Sequence, residues 1–364
     1  MTSPRRPDNS TAVRLLAALA VLVGHAFVLT GQAPAPRVLG LPLHALGVAV
    51  FFAISGYLVA GSRDRTSSGI QFLRNRALRI FPGVIAVTLV TVFAIGPIAS
   101  TSGIAAYFSR SETWAYLQAM ILVPRYDLPG VFESGTHART AVNGSLWTLG
   151  VEFFCYLLVL AVGFASRKNR PSLFAGMAAG GVTLAIACDG IPSVGGFASA
   201  AEMMVFFAVG ALLSSVRVVL RASVALALFT AWIVASVVEP QWGMLLAWLA
   251  LPYCVLTLAF ASAPVLSWVE KIGDLSYGTY LWAYLVQQLV IDVAPHLSLI
   301  VSLAVTVACT IPLAAVSWWI IEKPALALKY QPVPGQGRTW ALSQLIARRS
   351  EAKASARANS AQSR

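Results

Sequence analysis

The sequence predicts an all-α polytopic membrane protein with about ten transmembrane helices and both termini in the cytoplasm. Three observations carry that expectation. Apolar residues make up 58% of the 364 and charged residues only 11%, against about 25% charged in an ordinary soluble domain. Ten apolar stretches each approach the roughly 20 residues that a helix needs to cross a bilayer. The basic residues then segregate to one side of those stretches. A mean hydropathy of +0.75 leaves too little polar surface for a soluble globule and too much apolar surface for a disordered chain.

The expected spans are 11–30, 44–61, 81–100, 144–165, 172–190, 201–218, 222–239, 242–262, 276–294 and 298–321. The first follows Arg5 and Arg6 and precedes Ala33-Pro34-Ala35, the layout of a cleaved signal. Pro36 after the cut, and Arg14 and His25 inside the run, argue for a retained helix. The second runs from His44 past Ser55. A basic connector, Arg63 to Arg79, separates it from the third, which opens at Phe81-Pro82. Residues 101–142 read as a long outer loop without helix, with Trp114, Tyr116 and Trp147 near it as interfacial aromatics. The fourth span carries Glu152. The fifth to eighth are rich in glycine and alanine and joined by short connectors. The last two lead to a polar Ala/Ser/Arg-rich end.

The chain divides into a cytoplasmic segment 1–10, a membrane domain 11–325 and a basic tail 326–364 that reads as disordered. Cys155, Cys188, Cys254 and Cys309 all lie in apolar runs without metal-ligand spacing. They read as small buried hydrophobes, and no metal is expected.

The net charge of +12 would suggest nucleic acid in a soluble protein. With the first segment inside, 22 of the 26 basic residues fall on the cytoplasmic side. Only Arg37, Arg110, Arg125 and Arg139 fall outside. The charge therefore sets topology, and no nucleic-acid partner is expected.

Ionisable groups inside a membrane helix are costly and mark function. Arg14 and His25 are eleven residues apart. At 100° per residue they share one helix face, about 16 Å apart along the axis. His25 then lies about 8 Å below the outer surface and Glu152 about 12 Å below it. An imidazole and a carboxylate at similar depth are natural partners, since each lowers the other's desolvation cost. A lone histidine in a membrane helix can be a packing residue, and Arg14 can anchor by snorkelling. The shared face and the depth-matched Glu152 favour function. His44, Asp189, Glu202 and Asp292 lie at helix ends, where interfacial solvation suffices, and His137 and His296 lie in outer loops. Arg74, Arg76 and Arg79 form an Arg-x-Arg-x-x-Arg cluster leading into the third span. Topology alone explains its sign. Arginines at i and i+3 share a face, and beside a helix start they suit a phosphate-bearing cosubstrate.

Several segments together resemble acyltransferase family 3, integral-membrane enzymes that O-acylate glycans, lipids and macrolides. They are Arg14 with His25 after a ten-residue gap, Phe51-Phe-Ala-Ile-Ser-Gly-Tyr57, Phe72 to Pro82, and Leu128 to Phe132. Asn143-Gly-Ser-Leu-Trp-Thr-Leu-Gly-Val-Glu152, Gly273 to Tyr280, and Glu322-Lys-Pro324 complete the set. The resemblance spans residues 11 to about 325. It departs after Trp282, where the family often has a histidine and this chain has Ala283 and Tyr284. The chain resembles the stand-alone form, without a fused esterase-like domain.

The resemblance implies transfer of an acyl group, acetyl above all, from acyl-CoA to a hydroxyl. The acceptor would be a saccharide, a lipid-linked glycan or a macrolide, and the place the bacterial inner membrane. His25 is then expected as general base or transient acyl carrier, since histidine is the side chain best matched to deprotonating an alcohol near neutrality. Glu152 is expected to orient it. Arg14, Arg76 and Arg79 would hold the CoA moiety. Ser55, Asn143, Ser145 and Trp147 would face the acceptor or the thioester oxygen. The rival reading is a proton-coupled secondary transporter or flippase, which would also use buried Arg, His and Glu. Against it, no inverted repeat relates the two halves.

Overall fold

The computed structural model describes residues 8–66, 68–133, 140–191, 195–260 and 265–330. In chain order the helices are α1 (Ser10–Thr30), α2 (Leu43–Arg65), α3 (Gly69–Val90), α4 (Gly96–Ala99), α5 (Ile104–Ser109), α6 (Ser111–Ala115) and α7 (Trp147–Val162). Then follow α8 (Arg170–Cys188), α9 (Gly195–Ser215), α10 (Ala222–Val238), α11 (Pro240–Ala259), α12 (Ser276–Val293), α13 (Leu299–Ser317) and α14 (Lys323–Ala327). A helix of 16 to 23 residues stands at each of the ten expected positions. Among the described residues, seven helical segments are long and apolar enough to cross a membrane, and α7 and α10 are shorter apolar helices. The chain is thus an all-α, multi-pass membrane protein.

Four expectations need correction. The third long helix starts at Gly69 rather than near Phe81. Ser68 caps it by accepting the Gln71 N–H at 3.4 Å, and the polar stretch after it consists of good helix formers with long stems. Arg74, Arg76 and Arg79 therefore sit inside α3 and not at a helix start. Second, the 101–142 segment is not a featureless loop. It holds α5, α6 and a 3₁₀ segment over Tyr116–Ile121, pinned where the Tyr107 hydroxyl donates to Val92 O at 3.0 Å. Third, residues 326–330, expected to begin a disordered tail, are helical. The chain continues in α14 and a 3₁₀ turn to Tyr330, while 331–364 lie outside the described residues. Fourth, of the cysteines only Cys155 is fully buried, and Cys309 is exposed.

Close backbone approach organises the centre. α2 crosses α9 at Gly56 and Gly210. A Cβ on Gly210 would stand 2.2 Å from Ala53 O, and one on Gly56 2.0 Å from Phe207 O. Small residues at such crossings let helices pack without a hydrophobic driving force in lipid. Gly210→Val should therefore cost at least the ~1–3 kcal/mol of overpacking. The expected result is a lower melting temperature and less monodisperse protein in detergent; an unchanged melting temperature would refute the crossing.

α12 is enclosed almost throughout, with every residue from Ser276 to Gln288 buried. Several of its polar side chains donate to backbone carbonyls of neighbouring segments. Tyr277 donates to Ile80 O at 2.6 Å, Gln287 to Leu22 O at 2.7 Å and Gln288 to Ala141 O at 2.8 Å. In hydrocarbon such groups must be satisfied by the protein itself. α10 is the opposite case: only Trp232 is buried, and its apolar face is turned outward as lipid requires.

Candidate active site

A cavity of about 230 Å³ opens among α1, α2, α3, α7 and α12. Arg14, Ser55, Arg76, Arg79 and Glu152, all singled out in the sequence, line it. Arg14 comes from the first turns of α1 and Ser55 from the middle of α2. Arg76 and Arg79, three residues apart on α3, share a face as expected.

Asp274, in the turn before α12, organises two of the arginines. Its Oδ2 accepts from Arg14 Nη1 at 2.8 Å and from Arg79 Nη2 at 2.9 Å, and Ser276 Oγ donates to Oδ1 at 2.6 Å. Burial disfavours its ionised form, but the two guanidinium groups outweigh this and hold the carboxyl well below the usual carboxylate range. Sequence reasoning left Asp274 unassigned, although it stands in the Gly273–Tyr280 motif.

Arg76 is different. It lies against the rings of Phe72 and Tyr156, at 6.0 and 5.9 Å, and its buried Nε has no hydrogen-bond partner among the described residues. A buried guanidinium N–H at a cavity wall is a donor suited to an anionic acceptor.

Glu152 does not pair with His25. Its Oε1 accepts from Ser55 Oγ at 2.7 Å and from the Tyr156 hydroxyl at 2.5 Å, both within the arginine-lined cavity. Equal depth fixes only the coordinate along the membrane normal. α1 packs on α2 and α12, whereas α7 packs on α3 and α2, so the two side chains point into different compartments.

His25 instead stacks on His44, with ring centroids 5.2 Å apart and planes at 20°, and meets Tyr284 edge-on at 5.2 Å. Gly24 makes this possible: a Cβ there would stand 2.4 Å from the His44 backbone nitrogen. Among the described residues, His44 Nδ1 and, one turn beyond Tyr284, Gln287 Oε1 are buried without partners. His44 reads in the sequence as a solvated helix end. The signal that could have found it is topological, since a short connection makes α1 and α2 antiparallel neighbours, with the end of one beside the start of the other.

A layer of side chains stands between this imidazole pair and the arginine cavity. Tyr280 meets Phe51 edge-on at 5.8 Å. Its hydroxyl lies 2.5 Å from Thr148 Oγ1 and donates to Ser145 O at 2.7 Å. Asn143 and Ser145 brace this layer rather than face an open site. Asn143 Nδ2 donates to Leu281 O at 2.9 Å, and Ser145 Oγ donates to Asn143 Oδ1 at 2.8 Å. Both residues are buried with these bonds made. Trp147 lies apart from them, in a shallow groove with Tyr126 and Phe197.

The Acyl_transf_3 family profile, described as an acyltransferase domain, matches residues 9–322. The chain belongs to this acyltransferase family. It is 28% identical over 327 residues to a protein of Shigella phage Sf6 named O-acetyl transferase, covering 85% of this chain and 93% of that one. It is 29% identical over 350 residues to Nodulation protein 10 of Rhizobium leguminosarum bv. viciae, covering 88% and 94%. No solved structure matches it. The matched region of this acyltransferase contains every residue of the cavity except Lys329, and the whole imidazole cluster. Family membership makes the chain an enzyme of acyl transfer and sets the transporter reading aside.

Proposed function

We propose that this acyltransferase moves an acetyl group from acetyl-CoA to a hydroxyl of a saccharide or glycoconjugate. The proposed setting is the bacterial inner membrane, crossed ten times with both termini cytoplasmic. The observation that carries the reading is the cavity's cationic wall, where Arg76 keeps a buried donor group unused beside the Arg14–Asp274–Arg79 cluster. Phosphate oxygens are the acceptors that arginine forks match best. A volume of about 230 Å³ is smaller than the ~300–1,000 Å³ of a site enclosing a whole drug-sized ligand. It suits the narrow pantetheine arm with its phosphates at the mouth. The likeness to a protein named O-acetyl transferase supports acetyl as the group and oxygen as the acceptor.

In this reading the thioester approaches the Phe51–Tyr280–Thr148 layer from the cytoplasmic side and the acceptor approaches His25 from the outer side. The imidazole of His25 takes the hydroxyl proton as the oxygen attacks the thioester carbonyl. A C–O bond forms, the C–S bond breaks, and the leaving CoA sulfur receives the proton. His44, stacked on His25 with the ring planes at 20°, fixes the orientation of that imidazole. The transfer needs the layer between the two compartments to part.

Two measurements test the proposal. Mass-resolved surface glycan from a deletion strain should lack an acetyl increment that complementation restores; identical glycans would refute the saccharide acceptor. With purified protein, Arg76→Ala should raise KM for acetyl-CoA by about tenfold or more and leave KM for the acceptor unchanged. An unchanged donor KM would return Arg76 to a topology signal.

A further inference from the structure

The arginine cavity has a fourth cation that lies beyond the family match. Lys329, in the 3₁₀ turn Leu328–Tyr330 after α14, lines the same cavity as Arg14, Arg76 and Arg79. Its placement is built into the fold. After α13 the chain stays helical through a π-helical segment and α14, both of which pack on α3, and Arg74 Nη2 donates to Leu328 O at 2.8 Å, one residue from the lysine. Lys329 is half-buried, and among the described residues no acid forms an ion pair with it. A cation held among three arginines raises the energy of the empty site. An anion in the cavity removes that cost.

We propose that Lys329 is part of the donor site and, with Arg76, binds the phosphate groups of the acyl donor. This makes the Lys323–Tyr330 segment a wall of the donor pocket and not the start of a free tail. The proposal rests on the reading of the cavity as an acyl-CoA site. Burial and the neighbouring Arg76, Arg79 and Arg14 push the Lys329 ammonium down to about 7. The groups around it are Arg76 and Arg79 on α3, Arg14 on α1, Asp274 before α12, and Glu152 and Tyr156 on α7. Above that value the free lysine loses its charge and with it its hold on phosphate. Donor affinity should therefore fall as pH rises from 6 to 9. Arginine at this position stays protonated throughout.

The test is calorimetric binding to the full chain in nanodiscs, with CoA and phosphate-free pantetheine as probes. Lys329→Ala should weaken CoA at least about tenfold and leave pantetheine unchanged. Lys329→Arg should restore CoA binding and show less of the alkaline decline than the wild type. Lys329→Gln, which keeps the chain length, serves the same test if alanine unsettles the segment. Wild-type CoA affinity in both neutral variants, with binding weakened by Arg76→Ala, would overturn the role of Lys329 and spare the donor reading. No CoA binding by the wild-type chain would overturn both.

Discussion

Replacing His25 by alanine should reduce acyl transfer by about 10²–10⁴-fold, the usual contribution of a positioned general base. The residue is well placed for this loss to be specific. It is held by two aromatic contacts, to His44 and Tyr284, and among the described residues its side chain makes no hydrogen bond. The variant should therefore insert and melt as the wild type does, with donor affinity intact, because His25 is not among the residues lining the arginine cavity. Transfer from acetyl-CoA, followed at saturating donor and acceptor, is the measurement. A variant that keeps wild-type kcat would remove His25 from the mechanism.

Asp274→Ala should give the largest loss of stability. The carboxylate bridges Arg14 of α1 and Arg79 of α3 from the turn that opens α12. It thus ties together three helices far apart in sequence. Its side chain is only 17% exposed, and those of the two arginines 20% and 15%. Removing one partner of a buried ion pair leaves its charge uncompensated and costs about 3–5 kcal/mol. Here two cations are stranded in one step. Thermal unfolding in detergent should show a marked drop, while an unchanged melting temperature would show that the cluster contributes nothing to folding. The pH dependence has a definite sign. The folded-state carboxyl is held below its ordinary value, so its stabilisation is present above the unfolded pKa of about 4. It is lost as pH falls through the lowered folded value.

The two substitutions separate the compartments that the sequence reading had merged. Arg14 and His25 do share a helix and a face, as their spacing requires. Yet Arg14 lines the arginine cavity while His25 belongs to the imidazole cluster, with the Phe51–Tyr280–Thr148 layer between them. The motif from Phe51 to Tyr57 gains a physical account in the same way. Phe51 meets Tyr280, Ser55 donates to Glu152, Gly56 admits α9, and Tyr57 packs on Phe260 at 5.2 Å.

By itself the sequence determined the all-α, multi-pass class, the approximate positions of most of the long helices, the face shared by Arg14 and His25, and the pairing of Arg76 with Arg79. Hydropathy runs and the 3.6-residue period are local properties of the chain, legible along one dimension. Tertiary structure alone decided that Glu152 answers to Ser55 and Tyr156, that His25 answers to His44, that Asp274 bridges Arg14 and Arg79, and that Lys329 joins the arginine cavity. Those contacts depend on which helices are neighbours and how each is rotated about its axis. That rotation is set by close crossings such as Gly56–Gly210 and by the enclosed polar face of α12, where side chains distant in sequence must satisfy one another in the absence of water.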